Sequence, residues 1–142
     1  STVVVIDSNP SNNYYQLFKE HKNEIQIEQA AWESIELTNE PSKVTLKGNP
    51  EANFGTSMKQ TRTVEPTLFL VRNFCLGIHQ TNYINTMLGL DHGLFPSINS
   101  FHSIFMSTQR INFIVELKKI QKKLGKENFP LIPISYFPNT AN

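Results

Sequence analysis

The sequence has one cysteine, little net charge and no long hydrophobic run. Cys75 has no second cysteine to pair with, so an internal disulfide is excluded, which fits a reducing compartment. A formal net charge of +1 gives no overall attraction to nucleic acid or to an anionic membrane. No apolar run approaches the roughly 20 residues that cross a bilayer, and no charged leader precedes an apolar core at the start. We therefore expect a cytoplasmic protein without a nucleic-acid partner.

The motifs that commonly carry catalysis or nucleotide binding are also absent. Neither Gly-x-x-x-x-Gly-Lys-Ser/Thr nor Gly-x-Gly-x-x-Gly occurs, so no phosphate-binding loop is visible. The Gly-x-Ser-x-Gly turn that exposes a nucleophilic serine is missing. The four histidines show neither His-Glu-x-x-His spacing nor a nearby acid at ligand spacing. We expect no catalytic residue, no metal site and no self-contained cofactor site in this chain.

Hydrophobic patterns predict a single α/β domain over residues 1–142. Residues 2–6 form a continuous β-branched run, which is typical of a strand buried on both faces. A helical segment then leads to a second strand, and such a β-α-β unit implies a parallel pair with a right-handed crossover. The full prediction is strands near 2–6, 25–29, 67–72 and 95–98, helices over 14–22, 81–91 and 110–124, and an antiparallel excursion within 30–66. The fold class is a mainly parallel, Rossmann-like sheet with helices on both faces.

A strand-to-helix corner is predicted within residues 93–105. Asn99 or Ser100 is placed to cap the free N–H groups at the start of its helix. Arg72 ends the preceding predicted strand, and the carboxyl ends of parallel strands meet at the edge where α/β sheets bind ligands. Arg72, Asn99 and Ser100 are therefore candidates for the rim of a site that holds a carboxylate or a phosphate. The alternatives are an ordinary helix cap and an arginine that anchors the loop at Asp7 or a helix terminus.

Charge is distributed unevenly along the chain. Residues 1–40 carry seven acids and two lysines, a net of −5, whereas residues 110–126 carry six basic residues and one acid, a net of +5. Two copies of the chain are thus able to set the acidic segment of one against the basic helix of the other, as a homodimer. The candidates for this partner surface are Lys118, Lys122, Phe95 and Phe101. The alternative is that the lysines form a solvated helix face.

Several motifs resemble the synapsin family. They are Pro-Ser-Ile-Asn-Ser-Phe-His-Ser at 96–103, Lys-Lys-Leu-Gly at 122–125, Phe-Pro-Leu-Ile at 129–132 and Tyr-Phe-Pro-Asn at 136–139, with fainter similarity at 3–7, 27–30 and 70–72. The resemblance spans nearly the whole chain and is dense after Gly93. Gln109 begins a stretch that departs from the usual Asp-Lys-Pro-Trp of synapsins, and Tyr14 or Tyr15 stands where they have a tryptophan. The chain therefore resembles a divergent synapsin.

The resemblance implies a specific place in a longer protein. Synapsins are vesicle-associated phosphoproteins of nerve terminals, and this chain resembles their small N-terminal pre-ATP-grasp domain. An ATP-grasp domain would follow it and carry the ATP site with Ca²⁺ or Mg²⁺, so this fragment would contribute only the rim of that cleft. The resemblance further implies a non-catalytic role in regulating neurotransmitter release, a homodimer, and contact with the synaptic vesicle membrane and the cytoskeleton through the full-length protein.

Two other functions stay open. ATP-grasp domains also occur in ligases such as glutathione synthetase, so the chain resembles a substrate-recognition domain of an ATP-dependent carboxylate–amine ligase as well. In that case Arg72, Asn99 and Ser100 would orient an acid substrate. The third function is a generic α/β interaction module.

Overall fold

The computed structural model describes residues 1–9, 11–38, 40–52, 56–76 and 82–135. It divides into two compact units, Ser1–Thr108 and Gln109–Asn142. The predicted extent of a single domain over 1–142 stays a prediction. The motif at 136–139 lies outside the described residues.

Apart from the fourth predicted strand, the elements follow the α/β order that the sequence predicts. In chain order they are β1 (Thr2–Ile6), α1 (Tyr14–Leu17), β2 (Gln26–Ala30), β3 (Ile35–Leu37), β4 (Val44–Leu46), β5 (Arg62–Val64), β6 (Leu68–Val71), α2 (Ile84–His92), α3 (Phe101–Thr108) and α4 (Arg110–Leu124). Short 3₁₀ turns lie at Lys19–His21, Trp32–Ser34 and Thr56–Lys59.

A three-stranded parallel sheet with the order β2-β1-β6 forms the centre of the first unit. Val4, Val5 and Ile6 of β1 are fully buried, as expected for a β-branched strand covered on both faces. On one face, α2 and α3 pack their apolar side chains into the core that Val4 and Ile6 share. On the other face, the Gln29 side chain accepts a hydrogen bond from the backbone N–H of Tyr14, at the start of α1. The predicted fold class is confirmed.

The predicted antiparallel excursion is a second sheet with the order β3-β4-β5. Val44 and Leu46 of β4 are fully buried and join the same hydrophobic core as β1. A buried ion pair also connects the two sheets, because Arg62 Nε of β5 lies 2.6 Å from Glu28 Oε2 of β2. The antiparallel sheet is therefore an integral part of the first unit.

The fourth predicted strand, at 95–98, is wrong. The structure has only an isolated parallel bridge between Phe69 and Ser97. Two hydrogen bonds form it, from the Phe69 N–H to the Pro96 oxygen at 2.8 Å and from the Ile98 N–H to the Phe69 oxygen at 3.1 Å. Pro96 has no N–H to extend a ladder, and Leu94 has a φ of 56°, which turns the chain just before the segment. The apolar pattern of the segment by itself indicates neither the missing N–H nor the turn.

The second unit consists of α4 and the chain that follows it. The predicted helix 110–124 is confirmed, and it ends where Gly125 adopts a φ of 84°, a conformation that favours glycine. After the turn, the Gln121 side chain donates a hydrogen bond to the Phe129 carbonyl at 2.8 Å. Lys118 and Lys122 are exposed on this helix.

Candidate functional site

Asp7 is the centre of a hydrogen-bond network at the carboxyl edge of the parallel sheet. It follows β1 directly and is only 4% exposed. Its Oδ1 accepts hydrogen bonds from the Asn9 N–H at 2.9 Å and from Asn73 Nδ2 at 3.1 Å. Its Oδ2 accepts from Asn12 Nδ2 at 2.7 Å and from the Tyr14 hydroxyl at 2.8 Å. The network ties the loops after β1 and β6 to the start of α1.

The Asp7 carboxyl is held in its ionised form. Burial by itself raises the pKa of Asp7, but the hydrogen bonds from Asn9, Asn12, Tyr14 and Asn73 favour the carboxylate and bring the pKa below its ordinary value of 3.8. Burial, followed by the bond to Asp7, raises the pKa of Tyr14 above its ordinary value, against the opposing effect of Arg72. Asp7 is therefore a fixed negative charge at neutral pH, and Tyr14 is a fixed donor.

A cleft of about 390 Å³ opens beside this network at the ends of β1, β2 and β4. Its buried floor includes Asp7, Gln29 and Ala30. Its exposed wall carries the charged side chains Glu33, Lys47 and Glu51. The volume is in the range of small-molecule sites, and the carboxyl edge of parallel strands is where α/β folds bind ligands.

Arg72 lies at the predicted edge but does not line the cleft. Its backbone N–H donates to the Ile6 carbonyl at 2.9 Å, and its exposed guanidinium forms a hydrogen bond with Tyr14, which in turn bonds Asp7. This arrangement supports the alternative that the arginine anchors the loop at Asp7. Its role in holding a ligand stays a prediction.

Asn99 and Ser100 occupy the predicted helix cap. The Ser100 hydroxyl oxygen accepts the Ser103 N–H at 3.1 Å at the start of α3, and the Asn99 carbonyl accepts a hydrogen bond from the Ser97 hydroxyl. Both residues are exposed, and neither lines the cleft. The sequence thus predicted the cap, whereas a ligand role for these two residues stays a prediction.

The aromatic candidates for a partner surface need a correction. Phe101 is only 2% exposed and packs edge-on against Phe69 of β6, with the ring centroids 5.9 Å apart. Phe95 is half-buried and contacts Phe69 in the same way at 5.5 Å. Phe101 therefore has no surface to offer a partner, because α3 packs this side of its helix onto the sheet. Lys118 and Lys122 remain candidates.

The acidic residues of the cleft are not among the candidates that the sequence predicts. The sequence indicates Asp7 only as part of a loop that an arginine anchors, although an acid directly after a buried strand and before an Asn/Ser-rich loop is a usable signal. Glu33 and Glu51 carry no comparable signal, because only the fold of the antiparallel sheet brings their segments to the end of β1.

Comparisons with known proteins agree with this architecture. A family model described as the synapsin pre-ATP-grasp domain matches residues 1–97. The chain is also 29% identical to synapsin of Drosophila melanogaster over 144 residues, which cover 97% of this chain and 14% of that protein. The first unit is thus an α/β domain of the pre-ATP-grasp class.

Because the family model covers more than half of the sequence, the chain belongs to the synapsin family. The resemblance drawn from the motifs is confirmed. The chain spans only about a seventh of the length of the curated relative it matches. Within the described part of the chain, no helix combines the length and the apolar character needed to cross a membrane.

Proposed function

We propose that this chain is a domain of a vesicle-associated protein of nerve terminals that regulates neurotransmitter release without catalysing a reaction. The match of the synapsin family model to residues 1–97 is the observation that supports it. Asp7, the buried acid at the carboxyl edge of the parallel sheet, also fits a non-catalytic role. Each oxygen of Asp7 already accepts two hydrogen bonds from the protein, so the carboxylate acts as a structural anchor. The protein is expected to be cytoplasmic and associated with vesicles.

A chimaera tests this function. The segment of Drosophila synapsin that matches this chain is replaced by the chain, and the chimaera is expressed in nerve terminals that lack synapsin. We expect it to co-localise with synaptic vesicles and to restore their release, since the domain supplies the same surfaces. A synapsin that lacks the segment is the control. A chimaera that stays diffuse and behaves like the deletion would contradict the proposal.

The cleft at the carboxyl edge favours one alternative, the substrate-recognition domain of an ATP-dependent carboxylate–amine ligase. Either function would place ATP, with Ca²⁺ or Mg²⁺, in a cleft that this domain borders and a following ATP-grasp domain completes. We therefore expect negligible binding of ATP to this chain by titration calorimetry with either cation, because its sequence lacks a phosphate-binding loop. A micromolar Kd would show that the site is self-contained and would overturn this assignment.

Self-association is a further part of the proposal, since the basic α4 and the acidic segment 1–40 are suited to a homodimer. We expect sedimentation to show a dimer at low salt that weakens at about 0.5 M salt, where screening is strong. The Lys118→Glu, Lys122→Glu double variant should dissociate, whereas the matched Lys118→Arg, Lys122→Arg variant should not. A chain that is monomeric throughout ends the dimer proposal. A dimer that ignores both salt and charge reversal excludes the electrostatic interface.

A further inference from the structure

Asn99 and Ser100 form the only Asn-Ser pair in the sequence, which contains no Asn-Gly pair. The backbone nitrogen that follows an asparagine is able to attack its side-chain amide when the next residue is small, because a bulky side chain blocks the approach. Both residues are exposed, between the bridge at Ser97 and the start of α3. The pair is therefore accessible to the water that this reaction consumes.

The structure leaves both reacting groups of the pair unbonded. Among the described residues, neither the side-chain amide of Asn99 nor the backbone N–H of Ser100 forms a hydrogen bond. The Asn99 carbonyl accepts a hydrogen bond from the Ser97 hydroxyl, which polarises the peptide group and makes the Ser100 N–H more acidic. The start of α3 follows directly, and this end of a helix stabilises negative charge. Both effects favour the deprotonated nitrogen that attacks.

The other asparagines of the described residues are held more firmly. The side chains of seven of them form hydrogen bonds: Asn9, Asn12, Asn13, Asn49, Asn73, Asn82 and Asn128. Asn23 and Asn112 precede backbone N–H groups that already donate to carbonyls. Asn85 precedes the β-branched Thr86 inside α2. Asn99 is therefore the asparagine that the fold protects least.

The Asp7–Ser8 pair has the same small second residue but is fixed by hydrogen bonds. Aspartate followed by serine cyclises through the same kind of attack. Here the Ser8 N–H donates to Asn73 Oδ1 at 2.5 Å, and both oxygens of Asp7 accept hydrogen bonds. A small neighbour is thus present at both pairs, and the difference between them lies in the hydrogen bonds.

We propose that Asn99 is a site of spontaneous deamidation. The Ser100 nitrogen, after losing its proton to hydroxide, attacks Asn99 Cγ and forms a succinimide ring. The bond from Cγ to the side-chain nitrogen breaks, and this nitrogen leaves as ammonia with a proton from water. Water then adds to either carbonyl of the ring and opens it, which leaves aspartate or isoaspartate. The reaction consumes water and requires no oxidant or reductant.

Either product changes the connection between the sheet edge and α3. Aspartate adds a negative charge beside the start of the helix. Isoaspartate carries the peptide bond on the former side chain, so it adds a methylene group to the backbone between two bonded points. These points are the Ile98 N–H, which is 3.1 Å from the Phe69 oxygen, and the Ser100 hydroxyl that caps α3. The modification goes beyond the proposed vesicle function and does not depend on it.

The test is prolonged incubation of the folded chain at neutral and at mildly alkaline pH, followed by peptide mass spectrometry. We expect Asn99 to lose its amide before any other asparagine of the described residues. The loss should be faster at the higher pH, because hydroxide removes the proton of the attacking nitrogen. Digestion with a protease that cleaves before aspartate but not before isoaspartate separates the two products. Asp7 should remain ordinary aspartate over the same period.

Two variants test the role of the neighbouring residue. Ser100→Thr keeps a capping hydroxyl but crowds the attacking nitrogen with a β-branched side chain, so it should slow the loss several-fold. Ser103→Thr makes the same change at an exposed position within α3 and should react like the original chain. The proposal is overturned if another described asparagine reacts first, or if Asp7 isomerises as fast as Asn99 reacts. An unchanged rate in Ser100→Thr, or equal slowing in both variants, overturns it as well.

Discussion

Replacing Arg62 by methionine is expected to lower the free energy of unfolding by about 3–5 kcal/mol, the usual cost of leaving one partner of a buried ion pair alone. The Glu28 side chain is only 5% exposed, and Arg62 Nε is its cationic partner at 2.6 Å. Arg62 also donates to the carbonyls of Gln29 and Gln60, at 3.3 and 3.1 Å. Methionine keeps much of the side-chain volume but leaves the Glu28 charge uncompensated between the two sheets. Urea unfolding followed by circular dichroism measures the loss.

The exposed ion pair of Lys47 with Glu36 is a matched control, because it has the same 2.6 Å separation but half-exposed side chains. Lys47→Met should cost no more than about 1 kcal/mol. The Glu28→Leu, Arg62→Met double variant should recover part of the stability that Arg62→Met loses, since it removes the stranded charge. Equal losses for Arg62→Met and Lys47→Met would show that burial does not matter to this pair.

Replacing Asp7 by alanine is expected to cost about 3 kcal/mol at neutral pH, because hydrogen bonds to a charged group contribute about 1.5–3 kcal/mol each and are not additive. The change strands the donors of Asn12, Tyr14 and Asn73 in a partly buried site. Asn12→Ala, which removes only one of these bonds to the carboxylate, should cost about 1.5 kcal/mol, the lower end of that range. Comparable losses for the two variants would mean that the network has no central acceptor.

The contribution of Asp7 to the free energy of unfolding should also depend on pH. Because its pKa in the folded chain lies below the ordinary value of 3.8, folding favours the ionised form. The stabilisation is therefore complete above the unfolded pKa and disappears as the pH falls through the lower folded pKa. The stability difference between the original chain and Asp7→Ala should be constant from neutral pH to about pH 5 and then shrink in acid. A difference that stays constant into strong acid would contradict the assigned charge.

Local patterns in the sequence were sufficient to predict the parallel sheet and the longest helix. The β-branched run of β1 indicates a central strand by itself, and α4 carries both its apolar stripe and its terminal Gly125 within one segment. The first helix was predicted too long, since α-helical geometry holds only over Tyr14–Leu17 before a 3₁₀ turn. Only its beginning, capped by Asn13, is encoded nearby.

The features that the sequence did not reveal depend on distant contacts. Glu28 and Arg62 are 34 residues apart, and nothing near either one indicates the other. Phe101 follows a predicted cap, and the segment around it has the pattern of an ordinary amphipathic helix. That pattern does not indicate that Phe101 is buried against Phe69, because the packing of α3 on the sheet decides it. The cleft likewise combines loops from three separate strands. Tertiary packing, which local pattern does not encode, determined each of these.

The bridge at Phe69 and the tyrosine contact at Gln29 affect whether strands of other molecules can pair with the edges of the parallel sheet. A three-stranded parallel sheet has two open edges, and unpaired strand edges are templates for β-aggregation. On β6, the Phe69 backbone is already bonded on its outer side by the segment that contains Pro96. On β2, the outward N–H of Gln29 donates to the Tyr15 hydroxyl at 3.1 Å. An incoming strand would have to displace a different contact at each edge, which disfavours edge-to-edge polymerisation.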